Sequence, residues 1–189
     1  MEHKTTKKDL REKVLTLLRN QKEEERLRKS LVILDKLFKK PEFRKASTIL
    51  FYASFDGEVE TFEMIKRAQQ LGKRIALPCV IRQECRIVPV LVESIEKDLV
   101  PGPYGIKQPQ QTDADRTLNV RDIDLAIVPG VMFDRNNVRL GRGAGYYDRF
   151  LRGLPKSTPT IGLAFDFQVV DHLIPKEDHD IPVSCVVTA

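Results

Sequence analysis

Four short apolar runs constrain what this chain can fold into: ASTILFYA (46–53), IDLAIV (123–128), TIGLA (160–164) and VSCVVT (183–188). Each is short and rich in β-branched residues, which reads as a buried strand. Arg74–Val80 and Arg86–Val92 read as two further strands. Helical spacing lies before and between them. Leu10, Val14, Leu17 and Leu18 mark a first helix. Leu27, Leu31, Leu34 and Phe38 mark a second, with Pro41 just beyond its end. Phe62, Ile65, Ala68 and Leu71 mark a third, which Gly72 caps, and a helical patch covers Tyr146–Leu154. Residues 100–112 (VPGPYGIKQPQQT) read as loop. Strands alternating with helices predict an α/β fold: a mostly parallel central sheet with helices on both faces, Rossmann-like and three-layered, preceded by two helices. Ligands of such sheets bind beyond the carboxyl ends of the strands. That directs attention to the polar, glycine-containing turns after Ala53 and Val128.

Length and composition set the exclusions. A chain of 189 residues with 41% apolar residues can bury a real core, and residues 1–189 are expected to form one domain. No run approaches the roughly 18 apolar residues of a membrane span. The start, MEHKTTKKDLREK, has no apolar stretch, so no secretory leader is expected. Three scattered cysteines suit neither a disulfide framework nor a cysteine-rich zinc site, and a cytoplasmic location is expected. Charge is uneven. Residues 1–50 hold 15 Lys/Arg against 8 Asp/Glu, while the remainder holds 17 against 19. The basic excess suits a nucleic acid, an anionic small molecule or a solvated helical face. No aromatic-basic repeat accompanies it, and tryptophan is absent.

Residues 129–151, PGVMFDRNNVRLGRGAGYYDRFL, carry the most chemistry. Gly141, Gly143 and Gly145 alternate, Arg139 and Arg142 flank them, and Tyr146, Tyr147 and Asp148 follow. Alternating glycines let a backbone approach a ligand and aim successive N–H groups at it, and a helix start adds to that anion cradle. Arginines supply fork-shaped donors for phosphate oxygens. The segment matches neither a Walker A loop nor G-x-G-x-x-G. A plain strand-to-helix turn with solvated arginines is the competing reading. His172, His179 and the cysteines show no catalytic or zinc spacing.

The pattern PG-x-x-FD-x-x-x-x-RLG-x-G-x-GYYD-x-x-L resembles the signature of the 5-formyltetrahydrofolate cyclo-ligases, also called 5,10-methenyltetrahydrofolate synthetases. Three further stretches are similar: Lys7 and Arg11 in the first helix, ILFYASFDGEVET in the middle, and His179, Asp180 and VSCVVT at the end. The resemblance implies ATP-binding positions at Lys7, Arg11, Arg139, Leu140, Gly141, Arg142, Gly143, Ala144, Gly145, Tyr146 and Tyr147. It implies that residues 1–42 contribute to the nucleotide site. It places the folate substrate at Ala53, Glu58, Arg142, Gly143, Ala144, Gly145 and Tyr146, with Arg142 and Tyr146 closest to the chemistry. It places Mg²⁺ ligands at Asp148 and Asp180.

On the residues alone other readings stay open. Lys7 and Arg11 are like charges one turn apart, which disfavours a helix by a few tenths of a kcal/mol unless an anion sits between them. Glu58 and Asp148 could simply serve helix starts, Asp180 a turn, and Tyr146 packing. The implied reaction is an ATP- and Mg²⁺-dependent ring closure of 5-formyltetrahydrofolate to 5,10-methenyltetrahydrofolate, releasing ADP and phosphate, within one-carbon metabolism. Such chemistry needs positioning and charge neutralisation more than a nucleophile-base pair, and no Ser-His or Cys-His arrangement stands out. Neither a nucleic-acid partner nor a membrane is expected, and the chain is expected to act as a monomer.

Overall fold

A computed structural model describes residues 6–110 and 114–189. The chain opens with helices α1 (Lys7–Arg19), α2 (Glu23–Lys39) and the short α3 (Pro41–Lys45). Strand β1 (Thr48–Leu50), helix α4 (Phe62–Gln70), and strands β2 (Arg74–Ile81) and β3 (Arg86–Val92) follow. One turn of helix, α5 (Ile95–Asp98), leads to the small strands β4 (Leu99–Pro101) and β5 (Lys107–Pro109). Then come β6 (Leu125–Val128), β7 (Met132–Asp134), β8 (Arg139–Leu140) and α6 (Tyr146–Gly153). Strands β9 (Thr160–Ala164), β10 (Val169–Val170) and β11 (Cys185–Thr188) close the fold.

The main sheet has the order β11-β9-β6-β1-β2-β3. Every neighbouring pair is parallel except β2 and β3, which form an antiparallel hairpin. Because side chains alternate along a strand, each run feeds both faces. Ile49, Ile75, Leu77, Leu125, Ile127, Ile161 and Leu163 join Leu10, Val14 and Leu18 of α1, Ile33, Leu34 and Leu37 of α2, and Met64, Ile65 and Ala68 of α4. Leu50, Ala76, Ala126, Val128 and Ala164 join Phe150 and Leu151 of α6. This is the expected mostly parallel sheet with a helical layer on each face.

Several details differ from the periodicity reading, each for a physical reason. The run at 46–53 is paired only over Thr48–Leu50. Phe51 N still donates to the Ala76 carbonyl of β2, but from Tyr52 on the bonds turn to Thr61: its Oγ1 donates to the Tyr52 carbonyl and accepts from Ser54 N. Pro41 does not merely follow a helix; it opens α3 at the first position, where its missing N–H costs nothing. In α2 the buried face is Ser30, Ile33, Leu34 and Leu37, while Leu27 and Leu31 lie on the surface. Ser30 faces inward because its hydroxyl donates to the Arg26 carbonyl and accepts from Glu60 N. The stretch read as loop over 100–112 contains parts of β4 and β5, joined through Pro103–Gly105; its residues 111 and 112 lie outside the described residues.

Candidate active site

Residues between β8 and α6 form the glycine loop. Gly145 has φ +68° and caps the start of α6; Gly143 has φ +106°. Side chains on either side of the glycines hold the loop from behind. Arg149 donates to the Ala144 carbonyl at 2.8 Å. Arg139 is buried, with its guanidinium 5.8 Å from the Tyr147 ring centre, and donates to Asp148 Oδ1 at 2.7 Å. Arg139 Nε and the Tyr147 hydroxyl, both buried, have no hydrogen-bond partner among the described residues.

Helix α1 faces this loop. Thr6 caps it: Thr6 Oγ1 accepts from Asp9 N and Asp9 Oδ2 accepts from Thr6 N, which makes Lys7 the first helical residue. Lys7 Nζ bonds to Asp180 Oδ2 at 2.6 Å and Glu177 Oε1 at 2.9 Å. One turn on, Arg11 Nε donates to the Gly141 carbonyl at 2.8 Å. The repulsion expected between Lys7 and Arg11 is thereby relieved on one side by carboxylates.

The turn after β1 supplies the third wall. Asp56 and Gly57 adopt left-handed backbone, φ +51° and +84°. Gly57 lies against the end of α1, and a β-carbon there would stand 2.2 Å from the Leu18 carbonyl oxygen. From the loop, Arg142 reaches this turn. Its Nη1 donates to Asp56 Oδ2 at 2.9 Å, and Nη2 and Nε approach Glu58 Oε1 at 3.2 and 3.3 Å. Its guanidinium also lies 4.1 Å from the Phe55 ring centre.

These walls enclose one cavity of about 960 Å³. Every residue singled out from the sequence lines it: Lys7, Arg11, Ala53, Glu58, Arg139, Leu140, Gly141, Arg142, Gly143, Ala144, Gly145, Tyr146, Tyr147, Asp148 and Asp180. The sequence reading missed the opposite wall, made by Pro78, Val80 and Ile87 of the β2–β3 hairpin and by Tyr104, Ile106 and Gln108 around β4 and β5. An aromatic residue between glycines and prolines, as in GPYG, was the available signal. Burial, with Tyr104 beside it, pushes the Tyr146 phenol up.

Most charges in the cavity are already paired. Lys7 sits with Asp180, Arg139 with Asp148, and Arg142 with Asp56 and Glu58. Burial alone would pull Lys7 down, but its bonds to Asp180 and Glu177 hold it above its usual value. Burial pushes Asp180 up, and this is outweighed by Lys7 and the Glu177 amide, which leave it low. Arg19 in the first place holds Asp56 low. Glu58 goes the other way: burial raises it to about 7, with Arg142 offsetting only part of the cost. Asp148 reaches the segment that bears Asp180, since Ile181 N donates to Asp148 Oδ1 at 3.4 Å. Among the described residues no group of three or more His, Cys, Asp or Glu forms a metal cage.

A mostly parallel α/β sheet with a glycine loop at a helix start, ringed by paired cations and carboxylates, is an arrangement suited to an anionic ligand. The chain belongs to the 5-formyltetrahydrofolate cyclo-ligase family, whose profile matches residues 3–189. It is 33% identical to the mouse 5-formyltetrahydrofolate cyclo-ligase over 190 residues, covering 97% of this chain and 93% of the relative. It is 35% identical to the Escherichia coli enzyme of the same name over 149 residues, 78% of this chain and 81% of the relative. Among solved structures it superposes on a 5,10-methenyltetrahydrofolate synthetase from Aquifex aeolicus with a TM-score of 0.83 and 36% identity, over 96% of this chain and 89% of that one. The Mycoplasma pneumoniae synthetase gives 0.75 and 26%, over 96% and 97%.

Proposed function

We propose that this chain closes 5-formyltetrahydrofolate to 5,10-methenyltetrahydrofolate with consumption of ATP. The supporting observation is convergence: Arg11 meets the glycine loop at Gly141, and the same loop meets Glu58 through Arg142, on one cavity. A triphosphate and a flat heterocycle thus have facing subsites. Lys7, Arg11 and Arg139–Tyr147 would hold the phosphates. Ala53, Glu58 and Arg142–Tyr146 would hold the folate, with Glu58 accepting N–H bonds from the pterin and Tyr146 against its ring.

In the reaction the formyl oxygen attacks the γ-phosphorus and the bond to ADP breaks. N10 then attacks the activated carbon, the C–O bond breaks, phosphate departs with that oxygen, and N10 gives up its proton. The chain's part is to bring both ligands together and to neutralise charge. A triphosphate would draw Lys7 and Arg139 to its oxygens, freeing Asp180 and Asp148. Two carboxylates beside phosphates suit Mg²⁺, which is bound through one or two protein carboxylates plus phosphate oxygens and water rather than by an all-protein cage. When bound, Mg²⁺ would neutralise charge on the transferring phosphoryl group.

The test is the absorbance of the methenyl product with the purified chain. Product is expected only when 5-formyltetrahydrofolate, ATP and Mg²⁺ are all present. Turnover without ATP would overturn the phosphoryl-transfer reading, and full turnover in excess chelator would remove the metal.

A further inference from the structure

Asp56 has no task in the reaction just described, yet its 2.9 Å bond to Arg142 is shorter than either bond from Arg142 to Glu58. It is also held firmly. Arg19 of α1 grips both carboxylate oxygens, with Nε at 2.9 and 3.1 Å and Nη2 at 2.9 Å. Gln21 Nε2 donates to the Gly57 carbonyl and to the Leu18 carbonyl, tying the turn to the end of the helix. Arg142 therefore stands between two carboxylates, one anchored to a helix and one buried in the cavity wall.

The two carboxylates differ in what they can release. Glu58 Oε2 accepts from Phe55 N, so Oε1, which takes both Arg142 contacts, is the oxygen a ligand would claim. A ligand N–H can take that oxygen only if Arg142 yields it. An arginine with no second acceptor would then stay and compete, or leave the loop.

We propose that Asp56 is a positioning residue of the folate subsite: it retains Arg142 beside the glycine loop while the ligand takes over Oε1 of Glu58. This rests on the folate reading of Glu58 given above. Without Asp56 the whole charge of Arg142 falls on Glu58, and the ligand must break a tighter pair. Folate affinity suffers more than ATP affinity.

The groups facing Glu58 are Arg142 from the loop, Asp56 from its own turn, Tyr52 beyond β1 and Tyr147 of α6; Arg26 of α2 contacts only its carbonyl. Asp56 supplies a like charge, which holds the Glu58 proton on more tightly. Its removal moves the acid limb of folate use to lower pH.

Asp56→Asn is the direct variant, because asparagine tolerates left-handed backbone as aspartate does. The KM for 5-formyltetrahydrofolate is expected to rise about tenfold, with kcat and the KM for ATP within about twofold. The acid limb of kcat/KM for the folate is expected to fall by roughly half a pH unit or more. Asp56→Glu, which keeps the charge, is expected to restore the folate KM to within about threefold. Asp56→Gly fits the same backbone without a carboxylate and replaces the Asn variant if that one does not fold.

Unchanged folate KM and pH profile in Asp56→Asn would overturn the proposal. So would an equal loss in kcat and both KM values that Arg19→Gln reproduces together with a matching drop in melting temperature, since that is a structural role. Glu58→Gln, measured alongside, separates the two layers. If it leaves the folate KM unchanged, the folate reading itself fails; if it raises that KM and Asp56→Asn does not, only the positioning role fails.

Discussion

Glu58 shows what one residue costs this fold. Its folded pKa of about 7 lies above the ordinary value of 4.5, chiefly through burial. The folded state therefore keeps a proton over an interval in which the unfolded chain has released it, and stability falls as pH rises from about 4.5 through about 7. Glu58→Gln removes that loss. Relative to the parent, its unfolding free energy is expected to improve between pH 5 and pH 8 by on the order of 1 kcal/mol, read as a rise in melting temperature. The same change should raise the folate KM about tenfold or more, because a carboxylate acceptor becomes an amide. An offset in melting temperature that does not vary with pH would contradict the raised pKa. Asp148 makes the opposite case. It neutralises Arg139, whose side chain is only 3% exposed. Asp148→Asn keeps an acceptor but drops the charge, so the fold is expected to survive with a loss of about 2 kcal/mol, less than for outright removal of a buried partner. A larger Mg²⁺ requirement should accompany it in a metal titration of activity, and an unchanged requirement would exclude Asp148 as a ligand.

At the scale of elements, two glycines with similar backbone separate strain from packing. Gly57 and Gly72 have φ +84° and +77°, but a β-carbon at Gly72 meets nothing within 4 Å, whereas at Gly57 it meets the Leu18 carbonyl at 2.2 Å. Gly72→Ala is expected to cost about 1 kcal/mol in denaturant unfolding, the left-handed penalty alone. Gly57→Ala should cost at least about 2 kcal/mol more and weaken folate binding, because the turn bearing Asp56 and Glu58 must leave α1. Equal costs would mean that the turn does not rest on the helix. The sequence disclosed the elements themselves through periodicity: β6 and β9 are unbroken apolar runs, and Gly72 ends α4. The motif at 139–148 likewise announced the loop. The inward face of α2 was not legible, because Ser30 is buried through a bond to Glu60, thirty residues away. Nor was the Tyr104 wall, which joins the cavity only through the pairing of β4 with β5. The charge pairs were hidden for the same reason: Lys7 finds Asp180 across 173 positions, and Arg142 finds Asp56 across 86.

Across the whole molecule, α1 works as a strap over the cavity. Lys7 ties its start to Asp180 and Glu177 near the C-terminus, Arg11 ties its middle to the glycine loop, and Arg19 ties its end to the Asp56 turn. Its inner face, Leu10, Val14 and Leu18, packs into the core beneath. A nucleotide bound at Lys7 and Arg11 would thus load the same strap that fixes the folate turn. A ligand that binds only the folded state stabilises it by about 2.7 kcal/mol at a hundredfold excess over Kd. For a chain of this size that corresponds to a rise of roughly 5–10 °C in melting temperature. Mg·ATP is expected to give such a rise in the parent, and a folate analogue a comparable one. Because Lys7 and Arg11 belong to the phosphate side, Lys7→Ala and Arg11→Ala should each remove most of the rise due to Mg·ATP at fixed concentration and leave most of the folate rise. Glu58→Gln should do the reverse. If the Lys7 and Arg11 variants lost both rises equally, the helix would be a structural clamp alone. If they lost neither, the triphosphate would have to bind elsewhere than between α1 and the glycine loop.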